Sequence, residues 1–566
     1  MPLLLASQVP LIHQVRERNI VSKKIIFCYD ASLGWKQMER QLTLRSLIIG
    51  LAGLLVITTS SMYVALRMGA LPWPTVFVTV VSMAVLKHCK GSTLHEINVT
   101  HTIMSSGAMV AGGLAFTLPG LWILNPSAQV PVISLIAMTI VGTMLGTLFT
   151  SLFRKKMIEE EQLPYPMGQA AYNTLQAGMK GGKNAKTLFA SLGGSVVFTL
   201  LRDVWHKIPA ILPIFGGSTL FPPLSMWVSP MAAGIGAIIG PALALVWALG
   251  MIVGYFLLTP IGLATGLFPD MAAADLFRSN LGIGLMIGTG LGVFIQAIIN
   301  LAKKKKNTGK REKLSKASKL SLVAVLIFSM IILTLLTEVT IGESVILIIG
   351  VFATTYLSSM LTGQTGVNPM EIFGILVLLV VQFLFKPTLV PCFTIAAVTA
   401  VACGLAGDVM NDLKSGYLLK ANPRAQIVGE GIGGVVGSVV AVFVLLALKQ
   451  SFGGFGTAQL PAPQATAVSA MIGGLGHMPA FSLGCAIGLV LFLCKVPTAT
   501  LGLGVYLPPN ISSIMGVGAI LVALIKHAAK GKYSEEEIND KSNLISSGLL
   551  GGEGITGVCI AIISML

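Results

Sequence analysis

The sequence predicts an all-α polytopic membrane protein of about 14–16 transmembrane helices, several of them discontinuous, in two related halves. Three observations predict it. Of 566 residues, 54% are hydrophobic and 11% charged, with a mean hydropathy of +0.84, which excludes a soluble chain around one core. The net charge of +16 comes from Lys and Arg in the gaps between apolar segments, so it reports topology and not a nucleic-acid partner. Proline and glycine also interrupt several apolar segments, and such breaks end or bend helices.

Residues 1–40 are polar and basic around Arg16, Arg18, Lys23, Lys24, Lys36 and Arg40, and read as a cytoplasmic N-terminal segment. A first membrane half, 41–301, follows. At roughly 20 apolar residues per crossing, spans are expected near 45–66, 72–88, 100–123 and 131–153, with basic gaps at Lys87/Lys90 and Arg154-Lys155-Lys156. From 163 to 179 the chain turns polar, with Pro164, Tyr165, Pro166, Gln169, Tyr172, Asn173 and Gln176. Such a segment cannot face lipid, where unpaired amides are costly. Apolar segments resume near 187–203, 232–258 and 282–301, and 208–229 is a candidate re-entrant stretch. The gap after 153 and the basic loop 302–319 both read as cytoplasmic, so an even number of crossings separates them. Three are plain, so either 163–179 or 208–229 must cross as well.

The second half, 320–566, repeats the spacing, with spans near 320–337, 344–361, 369–385 and 390–407, then 426–448, a Gly-rich broken region over 461–526, and a last span near 543–564. Asn98-Val-Thr and Asn368-Pro-Met each open the third span of a half. Pro508-Pro509, just after Tyr506 and before Asn510, must interrupt a helix. Helices broken at membrane depth are where transporters hold substrate.

The strongest polar signal is the stretch from Gly404 to Gly437, which places Asp408, Asp412, Lys414 and Tyr417 within ten residues. On a helix the two aspartates share a face. The alternative reading is a solvated, Lys-rich loop, yet Gly407-Asp408 directly ends an apolar run, which sets the first carboxylate near the membrane boundary. Glu553, between glycines inside an apolar segment, is a functional candidate, as intramembrane acids are by default. The seven cysteines include no C-x-x-C and the seven histidines no i, i+4 pair, so neither a disulfide framework, a metal site nor a cofactor is expected.

These residues also carry a family resemblance. Gln41-Leu-Thr-Leu-Arg45, Ala115-Phe-Thr-Leu-Pro119-Gly-Leu-Trp122, Leu163-Pro-Tyr-Pro166, Gly366-Val-Asn368-Pro369, Gly407-Asp408-Val-Met-Asn-Asp412-Leu-Lys414-Ser-Gly416-Tyr417, Gly504-Val-Tyr506-Leu-Pro508 and Gly551-Gly552-Glu553 occur in order over essentially residues 40 to 566. In that ordered set the chain resembles a prokaryotic member of the oligopeptide transporter superfamily, which includes the yellow-stripe-like metal-chelate transporters. Lys420 departs from it, standing where the family tends to have a small residue. So do Gln169 and Asn173, where acidic or hydroxyl residues are common.

The resemblance implies proton-coupled uptake of small peptides or metal chelates across the cytoplasmic membrane, about sixteen helices, and admits a homodimer. Expected substrate-binding residues are Tyr165, Gln169, Tyr172, Asn173, Asn368, Tyr417, Tyr506 and Asn510; Asp408, Asp412, Lys414 and Glu553 are expected in proton coupling or gating. On a helix Gln169, Tyr172, Asn173 and Gln176 share one face, expected to line an aqueous cavity with the Asn368-Pro369 and Tyr506–Asn510 breaks. An intramembrane aspartyl protease would need Gly-x-Gly-Asp and a second aspartate after tyrosine. This chain has Gly404-Leu-Ala-Gly407-Asp408, and its one Tyr-Asp is Tyr29-Asp30 in the polar N-terminal segment, so no enzyme is expected. A channel is disfavoured because no short filter motif repeats.

Overall fold

A computed structural model of the chain describes residues 41–565 save 69–70, 72–74, 181, 240, 304–315, 458–459, 473–476 and 530–533. The N-terminal segment and most of the basic loop therefore lie outside the described residues. The first four apolar segments form α1 (Leu44–Met68), α2 (Thr75–Leu86), α3 (Leu94–Ala115) continued by α4 (Pro119–Leu124), and α5 (Val132–Arg154), which ends in a π-helical turn, Lys155–Glu160. Thr93 caps α3 by accepting from the backbone N–H of Glu96, a cap worth about 1 kcal/mol. Glu96 in turn receives Arg45 at 2.5 and 2.6 Å, which fixes the start of α1 on the start of α3.

The two segments left open by the crossing count differ in kind. Residues 163–179 give a helix, α6 (Pro166–Lys180), started by a proline in its first turn. α7 (Gly182–Asp203) follows. The stretch 208–229 forms a two-stranded antiparallel hairpin, β1 (Ile211–Phe215) and β2 (Leu224–Trp227). Pro209, Pro213, Pro222 and Pro223 deny this stretch a continuous helix, and every residue of β1 is exposed. The segment expected as one span over 232–258 is divided into α8 (Pro230–Ile239), α9 (Pro241–Met251), a π-helical run Ile252–Leu258 and α10 (Thr259–Ala264). α11 (Met271–Lys303) follows.

The remaining helices are α12 (Lys316–Leu336), α13 (Ile341–Thr365), α14 (Met370–Phe385), α15 (Leu389–Leu419), α16 (Pro423–Ser451), α17 (Pro463–Ile472), α18 (Met478–Leu493), α19 (Thr498–Tyr506), α20 (Pro509–Ala529) and α21 (Glu535–Met565). A capping box of Thr340 and Glu343 starts α13, and Gly366 at φ 72° ends it, since a left-handed C-terminal residue is cheapest as glycine. Both expected breaks are present: Asn368-Pro369 separates α13 from α14, and Leu507-Pro508 separates α19 from α20. Among the described residues, seven helices are long and apolar enough to cross a membrane, and four shorter apolar helices accompany them. The fold is an all-α polytopic membrane architecture with one small hairpin.

α15 is the axis of the molecule. Every residue from Pro391 to Gly416 is buried, packed by α3, α5, α13 and α14. A second group pairs in reverse chain order: α7 with α21, α8 with α20, α9 with α19, and α11 with α18. Small residues permit these close approaches, because helices in lipid associate by packing and not by exclusion of water. A Cβ added at Gly288 of α11 would lie 2.2 Å from the Cys485 carbonyl oxygen and 2.9 Å from Cα of Gly488. Gly288→Val must therefore push two backbones apart. It is expected to lower the Tm of the purified protein and its monodisperse yield, at a cost of about 1–3 kcal/mol or more, whereas Gly557→Ala, where an added Cβ meets nothing within 4 Å, should leave both unchanged.

Candidate functional site

Asp408, Asp412 and Lys414 lie inside α15 and not in a loop or at a helix end. α15 continues to Leu419, well past the apolar run expected to stop at 407, because protein and not lipid surrounds it, and polar groups find partners there. It ends at Lys420, whose φ of 59° is left-handed, which gives a local reason for the small residue that the family pattern favours at this position.

Asp408 and Asp412 are fully buried on one face of α15. Asp412 accepts from Ser105 Oγ at 3.1 Å and lies 3.2 Å from His101 Nε2. Thr75 Oγ1 is 3.5 Å from Asp408 Oδ1. Asn411 and Lys414 hold α6: the backbone N–H of Gly168 donates to Asn411 Oδ1 at 3.1 Å, and Lys414 Nζ donates to the Leu163 carbonyl at 2.8 Å. From α16, Gln426 donates to the Asp412 carbonyl at 2.7 Å, and Glu430, fully buried, points one carboxylate oxygen to within 4.8 Å of those of Asp408 and Asp412. The sequence argument passed over Glu430, although Gly429-Glu430-Gly431 is the same signal, an acid between glycines inside an apolar helix, that singled out Glu553.

A second centre is a cavity of about 770 Å³ whose wall is mostly apolar and includes Trp227, Trp247, Asn368, Glu371, Tyr506 and Glu553. Two of the expected helix breaks meet here, Asn368-Pro369 and Tyr506-Leu507. Glu553, 5% exposed, is paired: Arg202 Nη2 lies 2.9 Å from Oε1, and Ser229 Oγ and the Met231 N–H donate to Oε2, each at 2.8 Å. Arg202 is itself saturated, by Asp203 at 2.6 and 2.7 Å and the Val228 carbonyl at 2.6 Å. Glu371 lies in the first turn of α14, where a helix N-terminus favours negative charge.

Asn368 joins the two centres. It lines the cavity, its Nδ2 donates to the Cys403 carbonyl at 2.7 Å, and a Cβ added at Gly407 would lie 2.6 Å from that same nitrogen. The cavity wall thus rests on α15 one residue before Asp408.

The other predicted residues are placed elsewhere. Tyr165 is fully buried, with φ 46°, and donates its hydroxyl to the Ser359 carbonyl at 3.0 Å. Gln169, Tyr172, Asn173 and Gln176 are half-buried at spacings of three and four on an otherwise mainly buried α6, and so share a face. They are not among the residues lining the large cavity, and neither is Asn510, although Ile511 next to it is. Tyr417 is 38% exposed near the end of α15.

Residues 41–564 match the family model described as OPT oligopeptide transporter protein. A protein of Haemophilus influenzae named "Putative oligopeptide transporter" is 27% identical over 89% of this chain and 92% of its own length. A rice protein named "Probable metal-nicotianamine transporter YSL5" is 27% identical over 30% of this chain and 28% of its own.

Proposed function

The chain belongs to the oligopeptide transporter family, and from that premise we propose that it is a secondary active transporter that moves an oligopeptide or a metal chelate into the cell in symport with protons, by alternating access. It acts in the cytoplasmic membrane with its N-terminus inside, as the basic gaps suggest. The observation that carries this reading is the cavity at two helix breaks, with charged groups at its edge and Asn368 leading from its wall to the buried acids of α15. Its volume of about 770 Å³ is in the range of small-molecule sites. Of the two substrate classes, the wall favours peptides. Asp203, Glu371 and Glu553 outnumber Arg202 around it, which disfavours a compact polyanionic chelate, while apolar walls receive peptide side chains.

In this reading Asn368 and Tyr506 contact substrate. Tyr165, Gln169, Tyr172, Asn173, Tyr417 and Asn510 belong to its route or to the gates, and Asp408, Asp412, Lys414 and Glu553 to coupling. Single cysteines at 169, 173, 368 and 510 in a cysteine-free background provide the test. All four are expected to react with a small hydrophilic thiol reagent, with substrate protecting 368 most strongly. If 169 and 173 stay unlabelled while controls in the 302–319 loop react, α6 is a packed structural hairpin; if 368 is labelled equally with and without substrate, the cavity is not the binding site.

A further inference from the structure

The three carboxylates of Asp408, Asp412 and Glu430 are treated unlike three other buried acids, while a fourth, Glu371, sits in the first turn of α14 at the cavity wall. Glu96 is met by Arg45 and Thr43, Glu343 closes its own capping box, and Glu553 has Arg202, Ser229 and a backbone N–H. By contrast, no hydrogen-bond partner reaches either oxygen of Glu430 or Oδ2 of Asp408. Both residues are fully buried, and one carboxylate oxygen of each lies within 4.8 Å of one of Asp412. Among the described residues, no Lys or Arg side chain pairs with the cluster; His101 Nε2 lies 3.2 Å from Asp412 Oδ1. Buried charges without partners are expensive, so carboxylates brought together in this way are neutralised, by protons or by a bound cation.

We infer that Asp408, Asp412 and Glu430 form a binding site for a dehydrated hard cation of calcium or sodium size. The donor set consists of carboxylate oxygens, which suits hard ions and not thiophilic ones. One oxygen from each residue lies within 4.8 Å of the other two, and oxygens about 2.3–2.6 Å from a calcium ion can stand that far apart across it. Sodium is of similar radius. The outer contacts also fit: His101 and Ser105 hold Asp412 and Thr75 approaches Asp408, as hydrogen bonds commonly orient ligating carboxylates. The site lies beside the point where Asn368 carries the cavity wall onto α15. Its role as a partner in transport rests on the function proposed above, but its binding does not.

The test uses the purified full chain in detergent, with no substrate and no gradient, so that a failure of the transport reading leaves it intact. CaCl₂ and NaCl are each titrated against choline chloride at matched ionic strength, reading Tm, and binding of radioactive calcium and sodium is measured directly. At least one ion is expected to raise Tm saturably and to bind as a single ion per chain, and which one does so identifies the ion. Half-saturation should weaken about tenfold or more in Glu430→Gln and Asp408→Asn, since affinity follows ligand charge count. It should stay unchanged in Glu161→Gln, at an exposed acid. Absence of saturable binding of both ions to the wild-type chain overturns the site even if the variants fail to fold. Binding that is undiminished in folded Glu430→Gln overturns it as well.

Discussion

Asp408→Asn and Glu553→Gln are each expected to abolish uphill accumulation of substrate in proteoliposomes with an imposed proton gradient, while counterflow exchange of labelled for unlabelled substrate continues. The reasoning starts from shape. Asparagine and glutamine nearly preserve volume and hydrogen-bonding capacity, so substrate still binds and the protein still alternates. In the proposed cycle, what is lost is a carboxylate whose charge changes as the proton binds and leaves, and without that change the gradient has no purchase on the substrate. Accumulation should fall to simple equilibration across the membrane, the largest functional loss expected of an isosteric substitution in this chain. Wild-type accumulation in both variants would remove both residues from coupling. Loss of exchange together with accumulation would place them in substrate binding or in the fold.

The membrane class and the main helices were legible because lipid imposes long apolar runs on whatever faces it. The breaks at Asn368-Pro369 and Pro508-Pro509 were legible because proline acts locally. Two features were not. The fate of 208–229 depended on how four prolines are distributed and on what the segment packs against, and composition does not distinguish a re-entrant stretch from a hairpin. The length of α15 was hidden for a different reason. Its composition turns polar at Asp408, but the helix is buried in protein there, so the lipid rule used to place its end no longer applied.

The same distinction governs the site. Asp408, Asp412 and Glu553 stood out as acids in apolar surroundings, a one-dimensional signal. Their partners did not: His101 comes from α3, Glu430 from α16 and Arg202 from α7, and no local spacing connects these helices to the acids they meet. Glu430 alone carried a readable cue, its flanking glycines. Of these, Gly429 has a packing reason, since an added Cβ would press on Ile103, whereas one at Gly431 would meet nothing within 4 Å; Gly433, further along, would press on Ile103 and Ser106. Close approach of α16 to α3 is what delivers the third carboxylate.

Arg202→Met is expected to be the most damaging single substitution for folding, and Arg202→Met combined with Glu553→Met is expected to restore much of the loss. The Arg202 and Glu553 side chains are 4% and 6% exposed, and more than half of the chain separates them in sequence. Removing one partner of such a pair costs about 3–5 kcal/mol, because the remaining charge stays buried, whereas replacing both by apolar groups of similar volume is often neutral. Asp203 moderates the loss, being 29% exposed and able to turn to water; Glu553 cannot. Ser229 and the Met231 N–H would still donate to it but would not neutralise it. The measurement is the Tm and monodisperse yield of wild type, the two single variants and the double variant, read as a double-mutant cycle. A double variant no better folded than Arg202→Met would show that the pair is not the reason for the loss and that Arg202 acts through Val228 and the hairpin it anchors. A double variant that folds, binds and exchanges substrate but cannot accumulate it would separate the two roles of Glu553: the charge serves coupling, and the pairing only makes that charge tolerable inside the membrane.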